Sequence, residues 1–302
     1  MPFFSIILPT YNRASFLTRS IGSVIMQTFT NWELIVIDDG STDHTKEVVN
    51  SFNDARIKYF YQENSERSAA RNKGIDNASG TWICFLDSDD ESQPDHLHKL
   101  AKFIEFQKLS PGVLTTGLIT HRGSEVTHKP FLELNNNVLL EIGNNFLIPT
   151  QVCVHHIMFE KERFDERYRI WEDTHLWLRI AAQFPVYQMD QYSVIQHVHD
   201  EGTVMRGMKE IRLIEVQQYV SAIQDLRDTY KVLFEGKLPQ NYFNEYIDSK
   251  YRMYLYQARQ NKQFLVATQI WINAWKHCPS WYLFTECPKV ALNYFNIGLH
   301  AR

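Results

Sequence analysis

Three carboxylates, Asp87, Asp89 and Asp90, fall within four residues, directly after the apolar run Cys84-Phe85-Leu86. Like charges this close repel one another, and a bound cation relieves the cost. Hard oxygen donors of this kind suit Mg²⁺ or Mn²⁺, held by one or two carboxylates together with substrate phosphates. A second acidic run, Asp38-Asp39-Gly40-Ser41-Thr42-Asp43, ends the apolar segment 32–37. Glu172-Asp173 stands just before Leu176-Trp177-Leu178, where the pair also suits the N-terminal end of a helix. His155 and His156 alternate in facing on a strand, so at most one of them points into a site. His197 and His199 are two apart and share a face, which leaves a ligand role open to either.

The elements that must position these groups follow from apolar periodicity. Residues 3–8, 32–37, 57–61 and 82–86 read as buried strands. Helical spacing follows each of them, over 14–27, about 43–52, 67–77 and 94–108, with Ser41 or Thr42 as a cap for the second helix and Pro94 opening the fourth. This βαβαβαβα order predicts an α/β domain, with a mainly parallel sheet covered on both faces. Both acidic runs then lie beyond the carboxyl ends of strands, where open α/β sheets bind ligands. Strands are expected again at 113–121, 152–159, 186–189 and 192–198, with a long surface loop over 122–148. After about residue 205 helical periodicity takes over, with breaks at Pro239, Asn261 and Pro279 and three or four helices in 207–300.

The chain of 302 residues carries a net charge of -4, which gives no basic surface for nucleic acid. Its four cysteines are scattered, so a reducing compartment is expected and disulfides are not. Residues 1–8 are too short for a signal peptide, and no run of 18 apolar residues offers a membrane span. The expected place is the cytoplasm, with peripheral contact at the inner face of the membrane through the aromatic C-terminal helices as a hypothesis; packing within the helical segment is the simpler use of those aromatics.

Taken in order, Pro9-Thr10-Tyr11-Asn12, Asp38 to Asp43, Ala69-Ala70-Arg71-Asn72-Lys73-Gly74, Asp87-Ser88-Asp89-Asp90 and Glu172-Asp173 resemble the motif series of the family-2 glycosyltransferases, which have the GT-A fold. Each motif alone has a structural explanation as a turn, a cap or a surface charge; the ordered set is what is specific. It covers residues 3–200 and leaves the helical C-terminal third unmatched. The resemblance implies a Rossmann-like GT-A domain, with a nucleotide-sugar-binding half at 1–110, an acceptor-binding and catalytic-base half at 111–205, and a helical extension at 206–302.

By the same resemblance, the donor is a nucleotide-diphosphate sugar, most often a UDP-sugar, and the acceptor a hydroxyl of a carbohydrate or glycolipid, as in cell-surface polysaccharide synthesis. Thr10, Tyr11 and Asp39 match the base pocket. Pro9, Asn12, Arg13 and Ser88 complete the nucleotide site, and Asp38 serves the same pocket or holds its loop. Arg71 matches the arginine near the pyrophosphate. Asp87 matches the ribose and metal carboxylate, and Asp89 the direct ligand of Mn²⁺ or Mg²⁺. His199 is favoured over His197 as the histidine near the metal. Asp173 matches the base of an inverting single displacement, with Glu172 as runner-up, and Trp171, Glu172 and His155 fall on the acceptor side. The segment Asn64-Ser65-Glu66-Arg67 departs from the family's Asn-x-Gly, with Arg67 left to contact phosphate or to pair with Glu63 or Glu66. A nucleotidyltransferase on a similar fold would need a glycine-rich loop after the first strand, and 9–13 holds no glycine. A sugar-binding module without activity would need a missing motif, and none of the core ones is missing.

Overall fold

The computed structural model describes residues 1–199 and 210–277. They form two compact units, divided between Val198 and His199. In the first unit, β1 (Phe4–Thr10), β2 (Trp32–Asp38), β3 (Ile57–Tyr61) and β4 (Trp82–Phe85) alternate with α1 (Ala14–Ile25), α2 (Thr45–Ser51), α3 (Glu66–Asp76) and, after the short β5 (Glu91–Ser92), α4 (His96–Gln107). Next come β6 (Val113–Arg122), β7 (Glu125–His128), α5 (Val138–Asn145), β8 (Val152–His155), α6 (Glu172–Ala181) and β9 (Val186–His197).

All nine strands share one sheet, in the order β3-β2-β1-β4-β8-β6-β9-β5, with β7 paired to β6. The strands β1 to β4 run parallel to one another, and β6 and β9 run the same way, because β8 is antiparallel to both β4 and β6. β1 and β2 are buried along nearly their whole length, as their unbroken apolar runs require of strands covered on both faces. Leu17, Ile21 and Val24 of α1 pack with Leu8, Leu34, Leu97 and Leu100 in the main core. Order 3-2-1-4 makes the chain cross over β2 and β1 between β3 and β4. The crevice beyond the carboxyl ends of β1 and β4 is therefore a topological switch point.

Three expectations are corrected in this unit. The segment 122–148 is not a structureless loop: it holds β7 and α5, the latter capped by Asn137, whose side chain accepts from the Leu139 N–H. The strand expected at 152–159 stops at His155 and turns into a 3₁₀ segment over His156–Glu160. The two strands expected at 186–198 are one, with register shifts on either side of Gly117 in β6. A Cβ at Gly117 would lie 2.6 Å from both Phe131 and Tyr192, so only glycine lets those rings cross the strand there.

In the second unit, α7 (Leu213–Asp228), α8 (Lys231–Phe234), α9 (Tyr242–Gln260) and α10 (Phe264–His277) bury Val220, Ile223, Leu226, Ile247, Leu255 and Ile270. The expected breaks at Pro239 and Asn261 fall between helices, and Pro279 lies outside the described residues. No helix among the described residues is long and apolar enough to cross a membrane.

Candidate active site

Four strand-end loops meet at the switch point and are laced together by their own short polar side chains. The Asp39 N–H donates to the Thr10 carbonyl, and the Gln62 N–H to that of Asp38. Asn12, at a positive φ of 51°, receives the Thr42 N–H on its side chain and gives its own N–H to Ser41 Oγ. Gly40, at φ 86°, faces Asn64 so closely that a Cβ would sit 2.8 Å from the Asn64 nitrogen. Ser41 and Thr42 thus hold the first loop and do not cap α2. That helix starts at Thr45, whose N–H and hydroxyl both donate to Asp43 Oδ1.

The two aspartates of the second loop divide their work. Asp38 is buried and spent inward, accepting from the Ser41 N–H at 2.8 Å and the Tyr59 hydroxyl at 2.6 Å, so it holds the loop. Asp39 accepts from Gln62 Nε2 at 2.6 Å and from the Ser65 N–H at 2.9 Å. Burial raises its pKa, against those hydrogen bonds. Next to it, Thr10 Oγ1 is buried and has no hydrogen-bond partner among the described residues. Tyr11 and Asn12 are exposed, Pro9 and Arg13 half-buried, and Ser88 buried.

The acidic cluster after β4 also divides. Asp90, 2% exposed, accepts from Thr150 Oγ1 at 2.9 Å and from the His197 N–H at 3.2 Å. Burial, then Asp87 and Asp89, push its carboxyl well above the ordinary range. Asp90 is therefore no cap for the following turn: it ties the end of β4 to the segment before β8 and to β9. Asp87 and Asp89 remain half-buried. Asp87 accepts from Arg71 at 3.0 Å through one oxygen, and the Asp89 carbonyl accepts from Arg19. Two half-buried carboxylates with hard oxygen donors fit a Mg²⁺ or Mn²⁺ ion that also takes substrate oxygens.

Arg71 joins this cluster to the candidate base. It is buried, donates to Asp87 and, through its other terminal nitrogen, to Glu172 Oε1 at 2.9 Å, and lies 5.3 Å from the centroid of the Phe164 ring. Burial opposes its charge, but Asp87, Glu172 and Asp173 outweigh that and raise its pKa. Its Nε is a buried donor with no partner among the described residues. Asn72, the next residue of α3, grips the backbone of Phe164 in both directions, at 2.9 and 3.0 Å. The Ala-Arg-Asn motif thereby fixes the segment leading into α6.

That segment enters α6 through Trp171, buried and left-handed at φ 66°. Glu172 is 4% exposed and spent on Arg71, with Arg67 3.9 Å away; Arg67 thus reaches Glu172 as well. Asp173 is half-buried and accepts from the Thr174 N–H at 2.6 Å. Burial first, and Glu172 second, raise its pKa to about 7. A carboxylate that can gain or lose a proton near neutrality is what a general base needs.

His155 does not belong here. β8 is antiparallel to β4, so His155 pairs with Trp82 at the opposite end of the sheet, its ring edge-on to that indole at 5.2 Å. His197 does reach the carboxyl edge, with Nε2 2.9 Å from Glu91 and its ring 5.2 Å from that of His121. His199, half-buried, opens the second unit, and the residues directly after it lie outside the described ones. Thr150, Gln62, Tyr59 and Lys129 were not foreseen as part of this region. Each is an isolated polar residue whose partner stands far away in the chain, which leaves no local spacing to read.

Known glycosyltransferases resemble this chain. The family model described as glycosyl transferase family 2 matches residues 5–166. An uncharacterized glycosyltransferase of Rickettsia felis is 34% identical over 222 residues, 72% of this chain and 36% of that protein; the chain thus spans about a third of that relative's length. The Escherichia coli UDP-Glc:alpha-D-GlcNAc-diphosphoundecaprenol beta-1,3-glucosyltransferase WfgD is 49% identical over 87 residues, 28% of this chain and 34% of that protein. Among solved structures, S. aureus TarS 1-349 in complex with UDP-GlcNAc superposes with a TM-score of 0.67 at 21% identity, over 91% of this chain and 79% of that one.

Proposed function

The chain belongs to glycosyl transferase family 2 and has the GT-A fold, and on that premise we propose that it transfers a sugar from a UDP-sugar to a hydroxyl of a carbohydrate or glycolipid acceptor, with inversion. The observation that carries the reading is the Asp87–Arg71–Glu172 bridge, which joins the strand-end carboxylates to the turn bearing Asp173. In this reading Asp39 accepts the imino N–H of the base and Thr10 Oγ1 finds its partner in the donor. The permanent charge of Arg71 lies near the diphosphate, where its unpaired Nε is available to an oxygen. Asp87 and Asp89 would hold Mn²⁺ or Mg²⁺, which when bound neutralises charge on the diphosphate leaving group. Asp173 takes the proton of the acceptor hydroxyl as that oxygen attacks the anomeric carbon, and the carbon–oxygen bond to the diphosphate breaks in the same displacement. The TarS complex with UDP-GlcNAc and the UDP-glucose-dependent WfgD support uracil as the base.

The test is a hydrolysis screen across nucleotide sugars with Mn²⁺ and Mg²⁺, measuring release of the nucleoside diphosphate. One UDP-sugar should be turned over well above the others. Asp89→Ala should abolish the turnover; a folded, fully active Asp89→Ala protein would sink the metal assignment. Turnover of sugar 1-phosphate with a nucleoside triphosphate would replace the transferase reading by a nucleotidyltransferase.

A further inference from the structure

The Asp90 N–H donates to the Asp87 carbonyl at 3.0 Å, so residues 87–90 close into one tight turn. The three carboxylates on this turn repel one another, and that repulsion favours opening it. Thr150 grips both ends of the turn. Its Oγ1 accepts from the Asp87 N–H at 3.3 Å and donates to Asp90 Oδ2 at 2.9 Å. Thr150 is itself 3% exposed, in the 3₁₀ segment Pro149–Gln151 just before β8. That segment is fastened in turn, because Gln151 Nε2 donates to the Thr116 carbonyl of β6 at 2.9 Å and β8 pairs with both β4 and β6. The middle of the turn has its own hold: Arg19, on α1 and 70 residues away in the chain, donates from Nη2 to the Asp89 carbonyl. The hydroxyl of Thr150 and the guanidinium of Arg19 therefore reach the start, the middle and the end of a four-residue turn.

From this geometry we infer that Thr150 and Arg19 are positioning residues for a metal ion: they keep the Asp87–Asp90 turn closed against the repulsion of its carboxylates, so that Asp87 and Asp89 are already placed together when the ion arrives. Without them the ion would have to order the turn itself, and the cost of that ordering would be subtracted from its affinity. A hydroxyl suits the place of Thr150, since it accepts from an N–H and donates to a carboxylate at once. The inference rests on the reading of Asp87 and Asp89 as metal ligands, and adds to it the residues that hold them in place.

Mn²⁺ is the probe. Electron paramagnetic resonance counts the free ion in the presence of UDP, and hydrolysis of the preferred nucleotide sugar is followed over a range of Mn²⁺ concentrations. Thr150→Val keeps the shape of the side chain and removes the hydroxyl. It should raise the apparent Mn²⁺ dissociation constant about tenfold, the loss of one hydrogen bond to a charged group. Thr150→Ser restores the hydroxyl and should recover most of the affinity. Excess Mn²⁺ should bring turnover by Thr150→Val back close to the wild-type rate, because only affinity for the ion is lost; a fold damaged at large would stay slow at any Mn²⁺ concentration. Arg19→Met should weaken Mn²⁺ binding in the same way, and decides by the same measures if Thr150→Val does not fold. An unchanged Mn²⁺ constant in the folded variant, a rate that excess Mn²⁺ does not restore, or a serine variant no better than the valine one overturns the inference alone. A wild-type chain that binds no Mn²⁺ with UDP overturns the metal assignment, and this inference with it.

Discussion

The base role proposed for Asp173 follows from its surroundings. Its carboxyl is raised from 3.8 to about 7 by burial, Glu172 and Asp87, with Arg71 pulling the other way. A base must be ionised to accept a proton, so transfer should rise with pH through about 7 and level off above it. Asp173→Asn should lower transfer on the order of 10²–10⁴-fold while titration calorimetry finds donor affinity nearly unchanged; loss of donor binding would reassign the residue. The same shift has a cost in stability. The unfolded chain ionises this group near 3.8 and the folded chain only near 7, so its favourable contribution is full at low pH and lost as pH rises through 7. Asp173→Asn should therefore melt higher than wild type at pH 8, with the gap closing below about pH 4. The place of Glu172 and Asp173 in the first turn of α6 was legible because two carboxylates just before an apolar helix form a local pattern. The fastening role of Asp90 was not legible, because its partners, Thr150 and the His197 N–H, are 60 and 107 residues away.

The elements hold these residues in place through close approach. Gly74 of α3 lies against β1 so tightly that a Cβ would sit 2.3 Å from Ile7 Cγ2. Arg71 is one turn earlier on the same helix, with Asn72 beside it gripping Phe164. Gly74→Ala should cost about 1–3 kcal/mol in urea unfolding, as overpacking of a tight contact does. It should also reduce donor turnover, because lifting α3 from β1 moves the guanidinium away from Asp87; unchanged turnover would show that Arg71 needs no such seating. The buried strands β1, β2 and β4 were legible as unbroken apolar runs, since both of their faces are covered. β7 was not, because all four of its residues are exposed and no apolar face marks it. Nor was α5, whose eight residues give two turns of periodicity inside an asparagine-rich stretch.

At the scale of the molecule, the alternation of strands and helices made legible the mainly parallel first half of the sheet and the carboxyl edge beyond which the acidic loops lie. The insertion of antiparallel β8 between β4 and β6 left no trace in the sequence, because that pairing joins segments some 70 residues apart, as Cys84 opposite Cys153 illustrates. The nucleotide contacts proposed for the crevice all fall in the first unit, on loops 9–13, 38–43 and 87–90 around Arg71. UDP with Mn²⁺ should therefore slow amide hydrogen exchange in those loops and leave α7, α9 and α10 of the second unit unchanged. Mass action sets the size: a ligand at 100 times its dissociation constant stabilises the unit that binds it by about 2.7 kcal/mol. Chelation of the metal should remove most of the protection, because Asp87 and Asp89 would then face a diphosphate with no cation between them. It should leave the fold intact, since Arg71 already pairs Asp87 within the protein. Equal protection by UDP with and without the metal would assign the nucleotide site to Asp39 and Thr10 alone and remove the metal from it.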